Sequence, residues 1–337
     1  MKVAVVGLGA VGGLLAARLA QAGTRVAALA RGATLAAVRA HGLRLVLDGR
    51  ESTARIEVAD DARTLGPHDL VVVALKGPAL IDVAPTLAPL IGPRTIVLPA
   101  MNGVPWWFLH AGLPATLDAA TRALLDAPLA SVDPGGAVSR ALPLPAVVGC
   151  VVHLTCSMPE PGRVQHGFGH RLIVGEPAGG VSERARAVCE QLAGAGFAAE
   201  PSADIRRDAW YKLWGNLTTN PISALTGATT DRILDDPLVA QFMLKAMGEA
   251  AAIGARIGCP IDQSGEDRVV VTRQLGAFRT SMLQDATAGR PLEIDAIVTA
   301  VHEIGERLGV PTPHIGTLLG LTRLMARVRG LYPAAST

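Results

Sequence analysis

The apolar positions of the N-terminal part fall into short continuous runs separated by segments of helical period. Lys2–Val6 is an apolar run ending in Gly7-Leu8-Gly9-Ala10-Val11-Gly12, and Leu14–Gln21 then repeats as a helix stopped by Gly23. Arg25–Ala30 is a second run and ends at Arg31. Leu43–Leu47 and Arg55–Val58 read as the strands of a hairpin-like excursion. Asp69–Leu75 is a buried strand ending at Lys76, and Thr95–Pro99 is another, just ahead of Met101-Asn102-Gly103. Strands alternating with helices predict a parallel α/β sheet. From Val104 to Pro145 the pattern weakens around Trp106-Trp107-Phe108, a glycine pair and several prolines. Strand character resumes at Val147–Leu154 and Leu172–Val174, and Ser182–Gly194 reads as a closing helix.

Beyond Ser202 the texture changes. Long helical patterns follow, with stops expected at Pro221, Pro237, Pro260 and Pro291, and no segment reads as a strand. The expected organisation is an α/β domain over residues 1–200 and an all-α domain over residues 201–330. No internal repeat interrupts either part.

Composition narrows the classes. Half of the 337 residues are hydrophobic and 18% are charged, so the chain can bury a large core. The net charge is +2 and no basic run occurs, which argues against nucleic acid and against an anionic membrane surface. Aromatic residues, at 3%, are too few for a base-stacking surface. Residues 3–20 are apolar apart from Arg18, but four glycines and a single preceding Lys2 fit a strand, turn and helix better than a leader or a membrane span. Cys150, Cys156, Cys189 and Cys259 form no C-x-x-C pair and no zinc-like spacing with His, and read as reduced thiols of a cytoplasmic protein.

Gly7-x-Gly9-x-x-Gly12 between a strand and a helix is the dinucleotide fingerprint. The first glycine permits the tight turn, the second lets backbone approach a pyrophosphate, and the third lets helix and strand pack closely. Leu8, Ala10 and Val11 complete the loop, and the helix start supplies N–H groups for the phosphates. Where a carboxylate would hold the ribose hydroxyls of NAD, this chain has Arg31, followed by Gly32. A guanidinium there suits a 2′-phosphate, so NADP(H) is the expected cofactor.

The segment Trp210–Pro221 carries the clearest chemistry. Lys212, Asn216 and Asn220 are spaced i, i+4, i+8 and share one helix face. The chain holds only four lysines and three asparagines, so one lysine and two asparagines on one face are a concentration of scarce residues. A cation flanked by amides in an apolar cleft suits a carboxylate and a carbonyl; a solvated polar stripe is the plainer alternative. Glu293, two residues after Pro291, is expected in the first turn of a helix opened by that proline, where compensation of the helix dipole would by itself account for it.

Taken together, the Gly7–Gly12 loop, Lys76 after a strand, Met101-Asn102-Gly103, Lys212…Asn216…Asn220-Pro221, Ser281-Met282-x-Gln284-Asp285 and Gly289-Arg290-x-x-Glu293-Ile294-Asp295 resemble the ketopantoate reductase (2-dehydropantoate 2-reductase) family, in family order over nearly the whole chain. The resemblance implies a Rossmann-type NADP-binding domain followed by an all-helical substrate domain. It implies reduction of a 2-oxo acid by hydride transfer, with Lys212 as general acid and no metal. Asn102 is implied as a contact to cofactor and substrate, Asn216, Asn220 and Ser281 as substrate contacts, and Lys76 and Glu293 as cofactor-side residues; Glu293 aligns either Lys212 or a cofactor ribose. The chain departs from the family at Ala228-Thr229-Thr230-Asp231, where another substrate-binding Asn is common, at Thr299 in place of a glycine, and in the longer segment Trp106–Pro145. Two alternatives stay open: a paralogue acting on another oxo or hydroxy acid, and an NADPH-binding regulator without catalysis. The partners implied are a small-molecule oxo acid and, for the assembly, a homodimer.

Overall fold

The computed structural model describes residues 1–334. It divides into two compact units: Met1–Met101 with Asp133–Asp208, and Asn102–Val132 with the chain from Ala209 onward. The division is therefore interleaved, whereas the sequence pattern suggests a single cut near residue 200. The weakly patterned segment after Asn102 is what moves: its first part belongs with the helices.

The first unit contains two sheets. In the parallel one, β1 (Val3–Val6) lies between β2 (Val26–Leu29) and β6 (His68–Val73), with β5 (Glu57–Ala59) outside β2 and β7 (Ile91–Pro99) outside β6. In order of appearance this is 3-2-1-4-5, the doubly wound arrangement in which ligands bind where the order reverses, beyond the carboxyl ends of the strands. That reversal falls between β1 and β6. Gly7 follows β1 directly and Lys76 comes just after β6.

The second sheet holds β3 (Leu43–Leu47), β4 (Arg50–Ala54), β8 (Gly149–Glu160), β9 (Arg163–Gly175) and β10 (Ala198–Ser202). The hairpin partner of β3 is β4, not Arg55–Val58; the second half of that segment, Glu57 and Val58, instead lies in β5 of the other sheet. Sequence pattern misses β4 because its residues are polar and exposed as far as Ala54. Helix α1 (Ala10–Gln21) touches strands of both sheets, and adjacent glycines make this possible. A Cβ on Gly12 would lie 2.0 Å from the Gly7 carbonyl oxygen, and one on Gly13 would lie 2.6 Å from Val164 of β9. The other helices of this unit are α2 (Gly32–His41), α3 (Gly77–Val83), α5 (Ala137–Ala141) and α6 (Glu183–Gly194), the last capped by the Ser182 hydroxyl.

The second unit is all-helical. It contains α4 (Ala119–Asp126), most of α7 (Ile205–Thr226), α8 (Thr230–Asp235), α9 (Pro237–Arg256), α10 (Gly265–Arg273), α11 (Ser281–Thr287), a π turn (Asp295–Thr299), α12 (Ala300–Leu308) and α13 (Pro313–Val328). Two expectations fail here. Pro221 does not stop α7, which runs on to Thr226; the helix tolerates the lost N–H because its buried residues hold it in place. Pro291 does not open a helix: helical structure begins at Ile294, so Glu293 stands just ahead of the first turn rather than in it.

Helix α9 is long and apolar enough to cross a membrane by length and composition. One of its faces is core: Met243, Ala246, Met247, Ala250 and Ile253 are buried. Trp210 and Trp214, one turn apart on α7, donate indole N–H groups to the Ala250 and Met247 carbonyls at 3.3 and 2.8 Å. Phe108 stacks on Trp210 with ring centroids 5.7 Å apart, which seats the segment after Asn102 on the same helix. Farther along that segment, Glu303 accepts hydrogen bonds from Ala130 N–H, Ser131 N–H and the Ser131 hydroxyl, while Arg307 donates to the carbonyls of Leu124, Ala127 and Pro128.

Candidate active site

The candidate residues fall into one group on each unit. On the first, Gly7 adopts φ +94°, and a Cβ there would lie 2.5 Å from Leu75. Gly9 differs: it is exposed, its φ is −75°, and a Cβ would meet no atom within 4 Å. It therefore fronts open space at the start of a 12-residue helix whose first N–H groups have no intrahelical acceptor. This cradle fits a dinucleotide pyrophosphate, with Leu8, Ala10 and Val11 filling the loop around it. Arg31 caps the exit from β2, exposed and without an ion pair among the described residues. The parallel neighbour β5 leads into Asp60 and Asp61, but arginines engage both: Arg39 lies 3.6 Å from Asp60 and Arg63 lies 2.6 Å from Asp61. Lys76 is half-buried at the start of α3.

On the second unit the tryptophan face of α7 is held by α9, which leaves Lys212, Asn216 and Asn220 on a different side. Lys212 Nζ donates to Asn102 Oδ1 at 2.9 Å, so a lysine and an asparagine 110 positions apart in sequence meet here. Asn216 is half-buried. Asn220 is 4% exposed, and its Nδ2 has no hydrogen-bond partner among the described residues. A buried amide donor without a partner costs about 1–3 kcal/mol, which an acceptor placed beside it would offset.

Gly103 fixes the approach of Asn102. Its φ is +79°, and a Cβ would stand 2.3 Å from the Ala296 carbonyl oxygen, so only glycine allows this closeness. Ser281 is the exposed first residue of α11. The helix is joined to α7 just ahead of Ser281, where the Thr280 and Ser223 hydroxyls hydrogen-bond at 2.5 Å. Arg290 and Asp285, both in sequence motifs, form an ion pair at 2.8 Å, so these two hold each other in place. Glu293 is half-buried ahead of the π turn. Sequence reasoning missed the Thr280–Ser223 link and the π turn, for which no residue pattern gives a signal.

Thr230, at the first departure from the family pattern, is 2% exposed, and its hydroxyl donates to the Gly276 carbonyl at 2.7 Å. Its polar atom is committed to backbone.

A nicotinamide-dependent oxidoreductase of small acids is the class that this fold and these two groups of residues define. Residues 3–114 match the family described as ketopantoate reductase PanE/ApbA, and residues 204–326 match its C-terminal domain family. A 2-dehydropantoate 2-reductase from Mesorhizobium japonicum is 44% identical over 98% of this chain and 100% of its own length. A solved structure from Ralstonia solanacearum, described provisionally as a ketopantoate reductase, is 57% identical with a TM-score of 0.93, covering 98% of this chain and 99% of its own. The fold is shared more distantly by a D-mandelate dehydrogenase solved with NADH and anilino(oxo)acetate, 20% identical, TM-score 0.84, with 98% and 100% of the two chains covered. The chain belongs to the ketopantoate reductase family.

Proposed function

We propose that the protein reduces 2-dehydropantoate to pantoate with NADPH, using Lys212 as the general acid. The observation that carries this reading is the Lys212–Asn102 hydrogen bond of 2.9 Å on the same helix as the unpartnered, buried Asn220 amide. Bound NADPH supplies a hydride to the ketone carbon, and the carbon–oxygen π electrons pass to the oxygen. The Lys212 ammonium stabilises the developing alkoxide and then protonates it, and the amine regains its proton from solvent. Asn102 orients the ammonium and also contacts the nicotinamide side. The Asn216 and Asn220 amides and the Ser281 hydroxyl hold the oxo acid without adding charge. Gly7–Gly12 takes the pyrophosphate, Arg31 the 2′-phosphate, and Lys76 and Glu293 the rest of the cofactor side. Glu293 holds a ribose hydroxyl or steadies Lys212.

A cytoplasmic setting, with the thiols reduced, goes with this reading. A second copy of the chain is the partner this reading adds; in sedimentation velocity, a single species of 34.8 kDa would remove it.

NADPH oxidation with 2-dehydropantoate, on wild type and Lys212→Ala in parallel, tests the reading. Turnover that falls by ~10²–10⁴ in the variant is the expected result for a lost general acid. No wild-type turnover despite tight NADPH binding would sink it. Thr230 favours one second reading: with its hydroxyl committed to Gly276, this position offers the substrate no donor, which suits an oxo acid with an apolar side chain. A panel of 2-oxo acids, ranked by kcat/KM, separates the two.

A further inference from the structure

Outside the residues to which the reaction assigns a role, the most developed construction in the second unit surrounds the π turn. In an α-helix Ala300 N–H would bond the Ala296 carbonyl; here it bonds the Asp295 carbonyl instead. The Ala296 carbonyl accepts Val104 N–H at 2.7 Å. Gly103 crosses over the same carbonyl at a distance no Cβ would allow. Asn102, the next residue back, bonds Lys212. The π turn therefore anchors the backbone that carries the partner of Lys212.

One carboxylate braces the turn. Asp295 Oδ1 accepts from the Thr299 hydroxyl at 3.0 Å, across the turn itself, and from the Tyr332 hydroxyl at 2.6 Å. The preceding tail residue adds a backbone link, with Leu292 N–H donating to the Leu331 carbonyl at 3.0 Å. The two tail contacts thus fall on either side of Glu293. Leu331 is buried, and the Arg327 guanidinium covers the Tyr332 ring at 5.6 Å. Burial, and then the hydrogen bond to Asp295, push the Tyr332 phenol well above its ordinary value, so it stays a donor at any working pH.

We propose that Tyr332 is a positioning residue of this site: through Asp295 it holds the π turn in the form that presents the Ala296 carbonyl to Val104, and so sets Asn102 against the Lys212 ammonium. Its kinetic consequence rests on the reading of Lys212 as proton donor; the positioning itself does not. Thr299 serves the same turn from inside. Tyr332 touches neither substrate nor cofactor in this scheme.

The test uses the full chain and two readouts. The chain has only four lysines, so protein labelled with 13C-lysine gives four side-chain signals, and Lys212→Gln assigns the one that matters. Tyr332→Phe should move the Lys212 signal and leave those of Lys2, Lys76 and Lys245 in place. In turnover it should lower kcat about tenfold, the scale of one lost hydrogen bond, with the NADPH Kd unchanged. Asp295→Asn keeps an oxygen acceptor for both hydroxyls and should restore near wild-type behaviour, whereas Asp295→Leu should not. If Tyr332→Phe folds poorly, Thr299→Val removes the other brace and should act in the same direction. An unmoved Lys212 signal in a folded variant overturns the proposal, as does a general loss that shifts all four signals and NADPH binding together. If wild type reduces no oxo acid yet the Lys212 signal moves selectively, the proposed reaction fails and the positioning role stands.

Discussion

Gly9→Ala separates cofactor binding from folding at a single atom. The backbone at Gly9 has φ −75°, which alanine adopts without strain. The added methyl meets no protein atom within 4 Å. Alanine as a helix cap is worse than glycine by up to about 1 kcal/mol, and the stiffer unfolded chain offsets this by about 0.4–1 kcal/mol. The melting temperature should therefore stay close to wild type. Binding should not if, as proposed, the pyrophosphate approaches the helix through the open space in front of Gly9. Each N–H bond to a charged phosphate oxygen is worth about 1.5–3 kcal/mol. Losing even one or two raises the NADPH Kd by roughly 10²-fold. Isothermal titration with NADPH, beside a thermal melt, reads both quantities. Gly12→Ala is the contrast: its Cβ would stand 2.0 Å from the Gly7 carbonyl oxygen, so both stability and binding should fall. A Gly9→Ala protein that binds NADPH as tightly as wild type would refute the placement of the pyrophosphate at Gly9.

Arg31→Ala should weaken NADPH by about tenfold or more while leaving NADH nearly unaffected, since one charge-assisted pair to a 2′-phosphate is lost; equal effects on the two cofactors would remove Arg31 from the 2′-phosphate site. Pro221→Ala restores an N–H inside α7 and should raise the melting temperature, by up to ~3 kcal/mol of helix stability, while re-aiming Asn220 and lowering turnover; unchanged kcat/KM would separate Pro221 from the site. Burial pushes the Glu303 carboxyl up, but the Ser131 hydroxyl, the Ser131 and Ala130 N–H groups and Arg307 outweigh it and hold it below its ordinary value. Its contribution is then complete above the unfolded value of about 4.3 and fades as pH falls through the lower folded value. Hydrogen exchange at the Ala130 and Ser131 amides should therefore quicken on acidification in that window, and a rate independent of pH, after correction for intrinsic exchange, would show that Glu303 does not hold the segment.

The parallel sheet was readable because its strands are apolar throughout: all of Val3–Val6 and Val26–Leu29 is buried, and such runs between helical stretches admit few other folds. The strand Arg50–Ala54 was not, because it is an exposed edge whose Arg-Glu-Ser-Thr sequence carries no apolar alternation. The polar face of Lys212, Asn216 and Asn220 was legible because helix period alone places the three together. Its contact with Asn102 was not, since residues 110 positions apart meet only through the whole fold. The interleaved units were hidden for a related reason. Residues 102–132 have weak local pattern and are held to the helices by Phe108, Glu303 and Arg307, which are distant in sequence from most of what they bind.

Four of the places where local rules fail bear on one group of side chains. Pro221 sits inside a helix, Asn220 beside it keeps a buried donor without a partner among the described residues, Gly103 presses on a carbonyl, and a π turn opens α12 in place of a plain α-helical turn. Each departs from what the sequence around it would adopt at lowest free energy. All four lie in one unit, and they bear on the same few side chains: Asn220, Asn102 and, through Asn102, Lys212. A scaffold selected for stability alone would replace each with a plain helical turn at little cost to its core. Their concentration around one ammonium group argues that this surface is held open for a ligand, and it does so independently of any resemblance to other chains. The carbonyl freed by the π turn completes the argument: it is used at once to anchor the backbone beside Asn102.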